Sequence, residues 1–263
     1  MTGGTQAGGA QAGGDLAREA GAVSPPVADL VRAVTTPGAR GQIQRLVSDA
    51  RLDRWVQIDT DAAARMVRPY TWLLDRVGAG GIRLTEAGHL PPAQVCAALS
   101  ELNVTAPGGG RRENQVLPVQ QLRESAQAMG LLRKQRGQLQ LTARGADLRS
   151  RPAALWWHLA ERMPVRSAAS CEVQPGLILL VCVAARCTDT LNVTIPRMLS
   201  AIGWLNSDGS PLTGAEAARV TSSTHAALRW LGALPGPGQG NPGPWPAPEG
   251  VTFARAALRT WPA

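Results

Sequence analysis

Apolar positions recur with helical period along most of the chain and switch to period two in a few short places. Val119, Leu122, Ala126 and Met129 fall at i, i+3, i+7 and i+10, one face of a helix, and Gly130 follows as a C-cap. Behind the polar turn Arg133-Lys134-Gln135-Arg136-Gly137, Leu139 and Leu141 alternate with Gln138 and Gln140, the period of a half-buried strand. The order over 118–151 is therefore helix, hairpin with a charged tip, and the start of another helix. This is the layout of a recognition helix followed by a wing.

The preceding segment repeats this pattern at a shift of 57 residues. Leu74 falls on Leu131, Arg76 on Arg133, Gly80 on Gly137, Ile82 on Leu139, Leu84 on Leu141, Thr85 on Thr142 and Gly88 on Gly145. Each copy is expected to be a small hairpin leaning on the helix before it. Upstream, Val27 to Thr35 and Gln42 to Trp55 read as helices and Val56 to Ile58 as a short strand. Asp59-Thr60-Asp61 offers caps for a helix through Val67, and Tyr70 to Val77 continues beyond Pro69. Pro91-Pro92 opens a helix through Leu102, and Pro152 opens another through Met163 that carries Trp156, Trp157 and His158. The Trp pair is expected to pack between modules.

A third, more divergent copy closes the chain. Leu177 to Cys187 is apolar nearly all round, and Ile195 to Leu205 follows as a second helix. Thr213-Gly214-Ala215-Glu216 matches the capping box, opening a helix from Ala215 to about Leu231. Gly232 takes the place of Gly130. Pro235 to Gly250 is expected to be a lengthened wing tip, with Val251-Thr252 as its returning strand and Phe253 to Trp261 as the last helix. The expected fold class is thus mainly α with short β-hairpins (α+β), in tandem winged helix-turn-helix-like modules. A disordered Gly/Ala-rich tail occupies 1–26 and modules occupy 27–102, 103–169 and 170–263.

Charge sharpens this picture once it is placed. Residues 1–104 carry ten Arg and ten acids, and residues 105–151 carry nine basic and three acidic residues. Much of the net charge of +8 therefore sits in the middle copy and its approach loop, the electrostatic footprint of a polyanion-binding face. A solvated surface in an Arg-rich proteome is the alternative, because Lys134 is the only Lys. The four cysteines form no CxxC pair and read as free thiols in a reducing cytoplasm. The longest apolar run, Leu177 to Ala185, is too short to span a membrane.

Catalytic chemistry finds no persuasive arrangement. His89, His158 and His225 are scattered, no GxxxxGK[ST] phosphate loop is present, and the GAGG at 78–81 follows a helix where a dinucleotide loop follows a strand. No cofactor or metal is implied, and the chain reads as a non-enzyme. Candidate nucleic-acid contacts are Arg133, Lys134 and Arg136 on the wing, and Arg111 and Arg112 on a flexible loop. Arg123 on the middle helix and the stripe Arg219, Ser222, Ser223 and Arg229 on the last copy complete the set. The expected function is binding of double-stranded DNA, as in a transcriptional regulator. A non-catalytic scaffold for a protein partner is the alternative.

The stretches LLDRVGAGGIRLTEAGHLPPAQV, LRESAQAMGLLRKQRGQLQLTARGADL and PAALWWHLAER resemble a group of uncharacterised actinobacterial winged-helix proteins. Some of these resemble the extension found on Ri-plasmid open-reading-frame-three-like proteins. The resemblance covers roughly 66–263. It implies a winged-helix architecture in a bacterial cytoplasm and carries over no catalytic residue.

Overall fold

The computed structural model describes residues 24–105, 109–166, 173–236 and 246–259. The expected tail lies almost wholly outside them, and so does most of the expected third wing tip. The described chain is mainly helical with one small antiparallel sheet. Its elements run α1 (Pro25–Ala33), α2 (Pro37–Asp49), α3 (Thr60–Val77), β1 (Ile82–Arg83), α4 (Pro92–Glu101), α5 (Leu117–Ala128), β2 (Leu132–Gln135), β3 (Gln138–Leu141), α6 (Ala143–Leu148), α7 (Pro152–Glu161), α8 (Val173–Ala184), α9 (Leu191–Ala201), α10 (Gly214–Val220), α11 (Ser222–Trp230) and α12 (Pro248–Ala257). Among the described residues no helix is long and apolar enough to cross a membrane.

Local chemistry sets several boundaries where the sequence put them. The Asp59 carboxylate accepts from the amides of Asp61 and Ala62 and starts α3. Thr213 and Glu216 complete the capping box of α10. Arg136 and Gly137 take φ of 50° and 73°, the double left-handed turn that joins β2 to β3 as a tight hairpin. Other expectations change. Helix α3 runs through Pro69 without a break. The helix expected from Ala215 to Leu231 breaks at Thr221, whose hydroxyl donates to the carbonyls of Ala217 and Ala218. Val251 and Thr252 lie inside α12, not in a strand, because Pro248 sits in the first turn of a helix that starts there.

The two sequence copies do not form two hairpins. The sheet has the order β1-β3-β2, so the strand of the first copy joins the hairpin of the second. Ile82 pairs with Leu139, the residue that the repeat had matched to it, and Arg83 pairs with Gln138. A two-residue strand cannot stand alone and takes the nearest open edge. Gly81 makes the approach possible: its φ is 71°, and a Cβ there would meet the Leu139 carbonyl oxygen at 2.9 Å. The sheet thus crosses the expected boundary at 102/103.

One continuous buried cluster runs from Val27 to Leu258. Trp156 is fully buried in it, edge-on to Trp157 at 4.8 Å and to Phe253 at 5.3 Å, with its Nε1 directed at Met66 Sδ. It therefore joins α3, α7 and α12. His158, on the same helix, is buried and bonds the Met129 carbonyl oxygen through Nε2 at 2.9 Å.

Candidate nucleic-acid interface

The register of the sheet decides which side chains share a face, because directly opposed residues project from the same side. Leu132 opposes Leu141, and Lys134 and Ile82 both oppose Leu139, so one face is turned to the core apart from Lys134 at its end. The other face holds Arg83, Gln138, Gln135, Gln140 and Arg133. It carries no acid and no apolar side chain. Arg133, Lys134, Arg136 and Arg83 are all exposed, and none forms an ion pair with another described residue. Arg133 also lines a shallow groove with Gly78, Gln140 and Arg149. Arg83 was missed by the sequence reading because its strand was assigned to a separate module. Its spacing from Ile82 and Leu84 already marked it as outward.

Lys134 bends toward the turn after β1, where a Cβ built on Gly88 would sit 3.2 Å from its Nζ. The same turn is held from its other end by Glu113. This buried carboxylate accepts from the Leu90 amide at 2.8 Å and from Arg123 Nε at 2.6 Å, with His89 Nδ1 at 3.4 Å. Arg111 and Arg112, both exposed, immediately precede it. Glu113 therefore ties down the loop that displays them.

That same ion pair removes Arg123 from the candidate set. Its side chain is 3% exposed and its remaining donors go to Gln127 and Glu124. A cation so placed reaches no phosphate. It occupies the i+4 position from Val119 on the buried stripe Val119, Leu122, Ala126, a slot that was legible in the periodicity.

The stripe expected on the last copy also fails to form a free face. Arg219 is exposed on α10, but Ser222 and Ser223 are half-buried and line a cavity of about 430 Å³ against Gln121, Glu124 and Ser125 of α5. Arg229 turns back on its own chain, donating from Nε to the Pro235 carbonyl at 2.8 Å and from Nη2 to the Gly236 carbonyl at 3.1 Å. Trp230 Nε1 donates to the Pro118 carbonyl at the start of α5. Helices α5 and α11 thus pack against each other.

A second basic cluster was not anticipated. Arg255 donates to the Ala50 carbonyl at the end of α2, and Arg51, Arg54 and Arg186 surround it. Burial first, and then these three guanidiniums, lower its pKa. Its position at a helix C-terminus accounts for it as a cap on the exposed carbonyls.

Among the described residues no group of three His, Cys, Asp or Glu side chains is arranged to hold a metal. Cys182 is buried, and burial pushes its thiol up to about 12, which keeps it protonated and unreactive. No family model, no curated protein and no solved structure matches the chain.

Proposed function

We propose that residues 60–141 make one winged-helix unit that binds duplex DNA chiefly through the phosphate backbone, led by its wing. The element order α3, β1, α4, α5, β2, β3 and the strand order β1-β3-β2 support that reading. The observation that carries it is the outward sheet face, where Arg83 and Arg133 stand among three glutamines beside the Arg136 tip, free of acids. Unpaired guanidiniums on a rigid hairpin supply phosphate contacts at low ordering cost. Helix α5 is not the reading element, since its one cation is buried and α11 covers part of its surface.

The test is a salt titration of binding to a mixed-sequence duplex, read by fluorescence anisotropy. Replacing Arg83, Arg133 and Arg136 together by Gln lowers the log–log salt slope by roughly 2–3 if each touches one phosphate. An unchanged slope, or no binding by the full chain at low salt, overturns the proposal. A non-catalytic protein-binding scaffold is the second reading. The α5–α11 packing favours it, because that contact spends the surface a groove-reading helix needs.

A further inference from the structure

A cavity of about 290 Å³ opens between α5, α9, α10 and α11. Leu191, Ile195 and Ala217 supply apolar wall, and Gln121, His225 and Arg229 also line it. Among the described residues no acidic side chain lines it. The size lies at the lower edge of the range for small-molecule sites, roughly 300–1,000 Å³, which suits a single-ring compound and excludes a nucleotide.

Its electrostatics are one-sided. Arg229 is half-buried, and no carboxylate lies within 4 Å of it among the described residues. Two of its donors are spent on the carbonyls of Pro235 and Gly236, which fix the guanidinium in place without neutralising it, and Glu249 shares only the neighbouring cavity with it. A fixed, partly desolvated cation beside an apolar wall favours an anion with an apolar body. His225 stands one helical turn before Arg229. Burial first, and then Arg229, lower its pKa, so the imidazole is neutral at pH 7 and offers a hydrogen bond without a second charge.

We propose that this cavity binds a small aromatic or aliphatic carboxylic acid, with the carboxylate at Arg229 and the apolar body against Leu191, Ile195 and Ala217. The ligand would touch α5 through Gln121 and the last unit through α9, α10 and α11, so binding would also tighten the contact between the two.

Phenylacetate is a suitable probe, with phenylacetamide as its uncharged counterpart of the same shape. Calorimetry on the full chain should show saturable phenylacetate binding at least about tenfold tighter than the amide, a difference of about 1.4 kcal/mol. Arg229→Gln should erase that preference. Because Arg229 also holds the chain after α11, a second variant is needed. Ala218→Trp places a large ring in the mouth of the cavity from an exposed position and should abolish binding while leaving the circular dichroism spectrum unchanged. Equal binding of acid and amide overturns the proposal, as does binding that survives Ala218→Trp, or no saturable phenylacetate binding up to about 10 mM.

Discussion

Removing Glu113 is expected to be among the most costly single changes in the chain. The carboxylate is 1% exposed and serves Arg123 Nε at 2.6 Å and the Leu90 amide at 2.8 Å at once. Glu113→Ala leaves a guanidinium that is 3% exposed without its counter-charge, and such a loss costs about 3–5 kcal/mol. The Leu90 amide also loses its acceptor, a cost of about 1–3 kcal/mol where no water replaces it. These overlap, since Gln127 and Glu124 still accept from Arg123, so a total of about 4 kcal/mol is reasonable. At roughly 2–4 °C per kcal/mol for a chain of this size, the melting temperature falls by about 8–16 °C. Urea unfolding of Glu113→Ala, Arg123→Met and the double variant closes the cycle. The double variant should be no less stable than Glu113→Ala, because the Arg123 charge is then no longer left alone while the Leu90 amide lacks its acceptor in both. A single-variant loss below about 1 kcal/mol, or a double loss equal to the sum of the singles, refutes the reasoning. The Arg123→Met variant also tests the nucleic-acid contact expected of Arg123 against its place in the buried ion pair. Folded Arg123→Met should keep its salt slope on duplex DNA, whereas a phosphate contact would lower it by about 0.9.

Two further outcomes follow from packing and titration. A Cβ on Gly145 would lie 2.1 Å from the Leu131 carbonyl oxygen, and one on Gly250 would lie 2.6 Å from Ala233 Cα, so either Gly→Ala change should cost at least about 3 kcal/mol by urea midpoint. Gly80→Ala, with nothing within 4 Å, is the near-neutral control. Burial is the first cause lowering the pKa of both His158 and His225 from the ordinary value of 6.5. As pH falls past about 6.5 the unfolded chain takes up protons that the folded one refuses, so stability is full above that value and declines toward the lower folded pKa values. Urea midpoints measured from pH 7.5 to 5 should fall in that direction. His158→Gln, which retains a donor for the Met129 carbonyl, should flatten the fall.

What the sequence made legible was local. The Asp59 cap, the Thr213–Glu216 box, the Gly130 helix end and the hairpin around Arg136-Gly137 each depend on a few neighbouring residues, and each was read from them. What it hid was pairing between distant segments. Ile82 and Leu139 looked like the same place in two modules because both are apolar strand residues before a Thr and a Gly. In the fold they are partners in one ladder. Thr85 and Thr142 still act alike, each hydroxyl accepting a backbone amide, from His89 and Gly145. The likeness was real at the level of the turn and misleading at the level of the unit. Arg123 shows the same limit from another side. Its place on the buried stripe was visible, but a buried Arg needs a carboxylate, and only the fold brings Glu113 to it. The exposed Arg133, Lys134 and Arg136 were easier, since a charged hairpin tip needs no distant partner to be recognised, whereas Arg83 joins them only through the pairing of β1 with β3.

The two glycines that the sequence placed in equivalent positions share one geometry. Gly130 and Gly232 take φ of 75° and 67° after α5 and α11, and the next amide in each case bonds five residues back, Leu131 to Ala126 and Ala233 to Leu228. Gly145 then abuts Leu131, and Gly250 abuts Ala233. The joint of helix, left-handed Gly and close-packed returning helix is built twice, with α5 and α11 in equivalent places. These two helices face each other across Gln121, Ser125, Ser222 and Ser223, tied by the Trp230–Pro118 bond. A helix enters the major groove by a free polar face, and the face turned to α11 is not free. The pairing of equivalent helices therefore consumes the surface that would read bases and leaves the hairpin as the projecting cationic element. On the DNA-binding reading proposed above, affinity would therefore come from the sheet, and the α5–α11 contact, with the 290 Å³ cavity alongside, is where the proposed small ligand would act on the relation between the two joints.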